Sequence, residues 1–169
     1  MTNPTDSQGR EVDDPWRFRR GAPVHVEGRL KVPIKHAGRQ LDFTEAGLRI
    51  LIVHSEVASL FAALAPADVQ LIPVDIEGQR DQFLILVAAR LIRCIDEQAS
   101  QVQFWTPEDG LPHKVGQYYA VDDLHIDKTK VGDAGVFRLE GWAGSLIVSE
   151  NIKQALERVG ATGVKFEEV

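Results

Sequence analysis

Asp122, Asp123, His125 and Asp127 are the one place in the chain where metal-ligand residue types crowd together. Side chains alternate along a strand, so Asp123, His125 and Asp127 would share a face there and could hold a divalent ion for hydrolytic chemistry. The same alternation puts Leu124 and Ile126 on the opposite face, which is the pattern of a half-buried edge strand with a solvated outer side. No paired cysteines and no helical pair of histidines supply further ligands elsewhere. The solvated strand is the preferred reading and no cofactor is expected; a small metal-dependent hydrolase is the minor alternative.

Nucleophilic and phosphate chemistry find less support. Cys94 lies in an apolar segment, where a thiol is usually buried and inert, and no serine sits in a nucleophile-elbow pattern. His25, His36, His54 and His113 are scattered; His54 comes just before a helical pattern, where its ring can serve the helix end. The glycines fall at turns rather than in a phosphate-binding loop. The chain therefore reads as non-catalytic. Arg17, Arg19 and Arg20 surround Phe18, but arginines beside an acidic body are better explained by internal pairing than by nucleic-acid contact.

A binding surface is the better prospect. Residues 106–112 read TPEDGLP, a loop with Trp105 at its base and Glu108 and Asp109 at its tip, and Asp122 and Asp123 follow one short strand later. An aromatic anchor beside carboxylates gives an interface both a hot spot and electrostatic steering. Trp105, Glu108, Asp109, Asp122 and Asp123 are the candidate partner-binding residues.

Charge points the same way. The net charge is −6 over 169 residues, unevenly spread: Lys and Arg number 8 against 5 Asp and Glu in residues 1–40, 2 against 6 in 41–80, 3 against 8 in 81–127, and 6 against 6 thereafter. An acidic middle repels phosphate backbones and suits a basic protein. The single cysteine excludes an intrachain disulfide, no signal-peptide pattern opens the chain, and the longest apolar run is strand length, so a cytoplasmic protein without a membrane span is expected.

The elements that must position these residues are those of one domain. Residues 1–14 are polar and aperiodic and read as a flexible tail; residues 15–169 form the domain. Trp16 and Phe18 anchor a first extended segment, continued by Val24, Val26 and Leu30. Apolar residues at helical spacing predict helices near residues 55–64 and 149–159, the second capped by Ser149 and ended by Gly160. Residues 83–89 suit a central strand covered on both faces, which residues 91–95 extend after a bulge. Short strands at 102–105 and 118–121 and a last alternating run at 164–167 complete an α+β fold, with one mixed, largely antiparallel sheet and two main helices. An echo at an offset of 95 residues lays 41–53 over 136–148 and continues through both helices and the strands that follow, which suggests a duplicated strand-strand-helix-strand unit.

The same blocks carry a family resemblance. VFRLEGWAGSLIVSENIKQALERVGATGVKFEEV at residues 136–169 closely resembles the C-terminus of immunity protein family eleven of the bacterial polymorphic toxin systems. RQLDFT at 39–44, VHSEVASLFAAL at 53–64, PADVQLIPVDIE at 66–77 and LIRCIDEQAS at 91–100 resemble further blocks of that family in the same order, so the likeness covers about residues 20–169. It implies a non-enzymatic immunity protein that binds and neutralises a cognate toxin encoded by an adjacent gene. A protein-interaction or regulatory module with another partner is the alternative.

Overall fold

The longest apolar run has no polar face of its own, and the fold covers it on both sides. In the computed structural model, which describes residues 1–36 and 38–169, the strands are β1 (Leu30–Val32), β2 (Phe43–Ala46), β3 (Ile50–His54), β4 (Val69–Ile76), β5 (Phe83–Ala88), β6 (Leu91–Ile92), β7 (Gln101–Phe104), β8 (Tyr118–Asp122), β9 (Val136–Leu139) and β10 (Trp142–Val148). The helices are α1 (Ser55–Leu64) and α2 (Glu150–Arg158). Five strands form a sheet in the order β1-β4-β5-β3-β2, with β5 at its centre. Its neighbours run antiparallel, except that β1 lies parallel to β4.

Alternation along these strands divides the core. Ile50 and Ile52 of β3, Val74 and Ile76 of β4 and Phe83, Ile85 and Val87 of β5 form one cluster with Phe18. Leu51, Val53, Leu86 and Ala88 point the other way, against Val57 and Phe61 of α1 and Ile152 and Leu156 of α2. Phe61 is completely buried, so truncating it to alanine would cost about 3–5 kcal/mol.

The helix ends differ in chemistry. At α1 the His54 ring accepts a hydrogen bond from the Glu56 N–H at 3.4 Å. At α2 the expected Ser149 side-chain cap is absent; the Ser149 carbonyl instead accepts from the N–H groups of Ile152 and Lys153. Gly160 then adopts φ 66° and ends the helix, with its N–H donating to Glu157 and that of Ala161 to Leu156.

The strands fall into three sheets rather than the expected one. β9 pairs with β10 and β6, and β7 pairs only with β8. Asp68, 4% exposed, makes the corner. Its carboxylate accepts from the N–H groups of Gly135 at 2.6 Å and Val136 at 3.2 Å and pairs with Arg90, whose Nη1 also reaches Asp133. This pinning turns the chain away from the first sheet after β5, so residues 91–95 do not extend that strand. A third apolar cluster, around Cys94, Phe137, Leu139 and Ile147, lies with the second sheet.

Residues 15–19 form a 3-10 turn instead of an extended segment; it buries Phe18 but leaves Trp16 52% exposed. Although residues 1–14 have no apolar periodicity, Thr5 exchanges backbone hydrogen bonds with Lys31 at 2.8 and 2.9 Å, and Met1 and Val12 pack against the first cluster. Residues 164–167 alternate in burial but join no ladder.

Part of the 95-residue echo is present in the fold. Each copy is an antiparallel hairpin leading directly into a helix, β2–β3 into α1 and β9–β10 into α2. Matched helix positions share their burial: Val57 and Ile152 are buried, Leu60 and Ala155 half-buried, Phe61 and Leu156 buried, Leu64 and Val159 exposed. The surroundings differ, because β3 is the inner strand of the first hairpin and β9 that of the second, and only the first copy has the final strand.

Candidate functional site

Between Ser100 and Ala134 no residue is fully buried. The excursion is built on the β7–β8 ribbon, in which Gln101 faces Asp122, Val102 faces Val121 and Gln103 faces Ala120. Val102, Val121 and Tyr118 pack on the third cluster, leaving Gln101, Gln103 and Asp122 exposed on the other side. A bulge at the loop end pairs Phe104 with Tyr118. It lets aromatic rings gather there.

Trp105 is half-buried against its own neighbours. Its ring meets Tyr119 edge-on at 4.7 Å, and the Lys114 ammonium lies 4.8 Å from the ring centre on a cation–π contact. Phe104 stacks on Tyr118 at 5.2 Å. Tyr119 is 53% exposed and Phe104 40%, so the loop end of the ribbon carries a solvent-facing aromatic group. Tyr119, Phe104 and Lys114 escaped sequence reasoning, although the two adjacent aromatic pairs, 104–105 and 118–119, were the available signal.

The loop itself is two 3-10 turns, Pro107–Asp109 and Pro112–Lys114. Glu108 is exposed with no hydrogen-bonded partner among the described residues. Asp109 is committed: one carboxylate oxygen accepts from the Thr106 N–H at 2.7 Å and from its hydroxyl at 2.9 Å. These bonds, the backbone one foremost, hold its pKa below the ordinary carboxylate value. Asp122 and Asp123 lie at the opposite end of β8, roughly 13 Å from Tyr118 at the usual strand rise. The five candidate residues thus occupy one ribbon but not one patch. Between Gln101 and Asp123 the ribbon and loop carry four carboxylates against one ammonium group.

The stretch that suggested a metal centre is not a strand. β8 stops at Asp122, and Asp123 has φ 46°, a left-handed conformation that ends the alternation. His125 Nδ1 lies 2.9 Å from the Asp123 carbonyl, and Asp127 caps the turn Lys128–Lys130, accepting from Thr129 and pairing with Lys130. Those partners keep the Asp127 carboxyl below its ordinary pKa, the Thr129 side-chain bond first. Among the described residues no three His, Cys, Asp or Glu side chains converge as metal ligands. Cys94 is fully buried, and burial raises its thiol pKa.

These features define a single-domain α+β protein that carries an acidic, aromatic ribbon without a fully buried residue. The chain belongs to the Immunity protein family (Imm11), which matches residues 34–169, the whole of both hairpin-helix units and the ribbon between them. No curated protein matches the chain. Among the described residues no helix is long and apolar enough to cross a membrane.

Proposed function

We propose that this protein neutralises a cognate bacterial toxin by binding it, without turnover, and that the ribbon makes the contact. Membership of the Immunity protein family (Imm11) supports the first part. The single observation behind the second is the loop end of the ribbon, where Trp105, Tyr119 and Phe104 gather at the base of the loop that carries the exposed Glu108. Aromatic rings held by their neighbours lose little freedom on binding, and carboxylates around them steer a basic partner. Trp105 and Glu108 serve as anchor and steering charge, Asp109 shapes the loop, and Asp122 and Asp123 add negative charge at the far end of the ribbon.

Co-expression with the toxin encoded beside it, in a cell the toxin otherwise kills, tests this reading. The intact protein protects, and purified toxin and protein form a complex. Failure of both would sink the immunity assignment. Protection that survives charge reversal at Glu108 and Asp122 together with loss of the Trp105 ring would move the interface elsewhere.

A further inference from the structure

The turn joining β2 to β3 is strained without a matching gain inside the fold. Leu48 and Arg49 stand there in consecutive left-handed conformations, φ 55° and 56°, which glycine would adopt with less strain. Leu48 is 37% exposed and Arg49 is exposed too, so packing in the core does little to offset that strain. The turn is held from two sides. The Gly47 N–H donates to the Thr2 carbonyl at 3.1 Å, and Arg19 Nη1 donates to the Leu48 carbonyl at 2.9 Å. The same Arg19 guanidinium lies 5.3 Å from the centre of the Trp16 ring, which is 52% exposed. Trp16, Arg19, Leu48 and Arg49 thus form one apolar, cationic patch.

Positive charge is in excess at this patch. Burial first, and then the nearby Arg19 charge, push the Arg138 pKa down to about 10, with Glu45 opposing. Burial, followed by the Arg49 charge, lowers that of Arg19, again against Glu45. Three guanidinium groups therefore answer to one carboxylate. The Arg138 group lies beneath the surface at 1% exposure, where salt screens it little. A carboxylate brought up to Arg49 from outside would relieve that repulsion.

The molecule carries a matching surface close by. A Cβ at Gly141, in the turn between β9 and β10, would lie 3.0 Å from the Tyr118 ring of the ribbon, and one at Gly144 would lie 3.9 Å from Arg19 Nη2. Three residues of backbone span at most about 11 Å. The basic patch and the loop end of the acidic ribbon therefore flank the same hairpin end. Neighbouring surfaces of opposite charge can meet those of an identical copy reciprocally across a two-fold axis, acid on base twice over. We propose that the protein pairs with a second copy of itself in this way, Trp16, Leu48 and Arg49 of each chain meeting Phe104, Tyr119 and Glu108 of the other. Pairing needs no toxin, and a toxin bound at the ribbon would displace the second copy.

The test is sedimentation of the full chain, without toxin, over a range of protein concentrations at low and high salt. At about 10 mM salt the mass should rise toward that of two chains and no further, with half-association near roughly 100 μM. Raising the salt to about 1 M should weaken association at least about tenfold. Arg49→Glu alone and Glu108→Lys alone should each weaken it by a similar factor, since like charges then face each other. An equimolar mixture of the two variants should associate nearly as well as wild type, because each substitution meets its complement on the other chain. A chain that stays monomeric up to about 1 mM at low salt overturns the proposal, that being the weak limit of useful affinity. So do folded single variants that pair as tightly as wild type, a mixture that pairs no better than either variant alone, and masses that grow beyond two chains. Should either variant not fold, the salt dependence of the wild-type protein decides alone.

Discussion

Asp42 and Thr162 hold each other across most of the chain's length. The Thr162 N–H and hydroxyl both donate to Asp42 Oδ2, at 2.9 and 2.7 Å, and the Asp42 N–H donates to Thr162 Oγ1 at 3.0 Å. This knot ties the exit of α2 to the entry of β2 and so fastens one hairpin-helix unit to the other. Thr162→Val should lower stability by about 1–2 kcal/mol at pH 7, measured by urea denaturation. The hydroxyl bond, then the backbone bond, lowers the Asp42 pKa. A depressed carboxyl pKa stabilises above the unfolded value, about 3.9, and the contribution is lost as pH falls through the folded value. The gap between wild type and Thr162→Val should therefore narrow from pH 7 to pH 3.

Gly163, next along, has φ 88°, and a Cβ there would run into the Phe43 carbonyl. Gly163→Ala combines a left-handed conformation with a clash against backbone, and each costs about 1–3 kcal/mol. The variant should unfold at clearly lower urea than wild type with an unchanged slope. A midpoint within error of wild type would show that this close approach does not constrain the fold.

Tyr118 donates its hydroxyl to Glu97 at 2.6 Å, and burial, followed by that bond, pushes its pKa up to about 12. A phenol whose folded pKa is raised stabilises fully below the unfolded value near 10, and that contribution fades as pH rises through the folded one. Ultraviolet titration should show one tyrosine ionising about two units late. Tyr118→Phe should remove that phase and flatten the loss of stability between pH 10 and 12.

At the ribbon, Glu108→Lys and Asp122→Lys should slow association with a basic toxin, most at low salt, and leave dissociation nearly unchanged. Trp105→Ala should act mainly on the dissociation rate, weakening the complex by about 2 kcal/mol or more. Stopped-flow mixing and surface-binding kinetics separate the two, with melting temperatures recorded beside them. Asp109→Lys is a poorer probe of steering, since losing its bonds to Thr106 also opens the loop.

How much of this could be read beforehand depended on distance along the chain. α1 begins and ends at the expected residues because its apolar spacing and flanking residues are local, and β5 lies mid-sheet because its composition leaves no polar face. The split into three sheets hangs on Asp68 reaching Gly135 and Val136, a pairing no short window contains. Residues 164–167 have strand periodicity, yet the approach of Gly163 to Phe43 and the bond from the Phe43 N–H to Thr162 leave them beside β2 without a ladder. Among the candidate site residues, the placement of Trp105 at the base of the loop and of Glu108 exposed within it was legible. The left-handed turn at Asp123 was not, because a single backbone angle there undoes the alternation that seemed to gather Asp123, His125 and Asp127.

The stretch between Ser100 and Ala134, without one fully buried side chain, has a bearing on change over generations. Most substitutions that unfold a protein do so by disturbing packed interior atoms. A ribbon outside the interior can exchange aromatic rings, charges and loop residues while Asp68, Phe61 and the paired helices keep the scaffold standing. A binder whose target drifts needs that separation: on the contact surface proposed above, recognition can be rewritten with little danger to the scaffold that carries it.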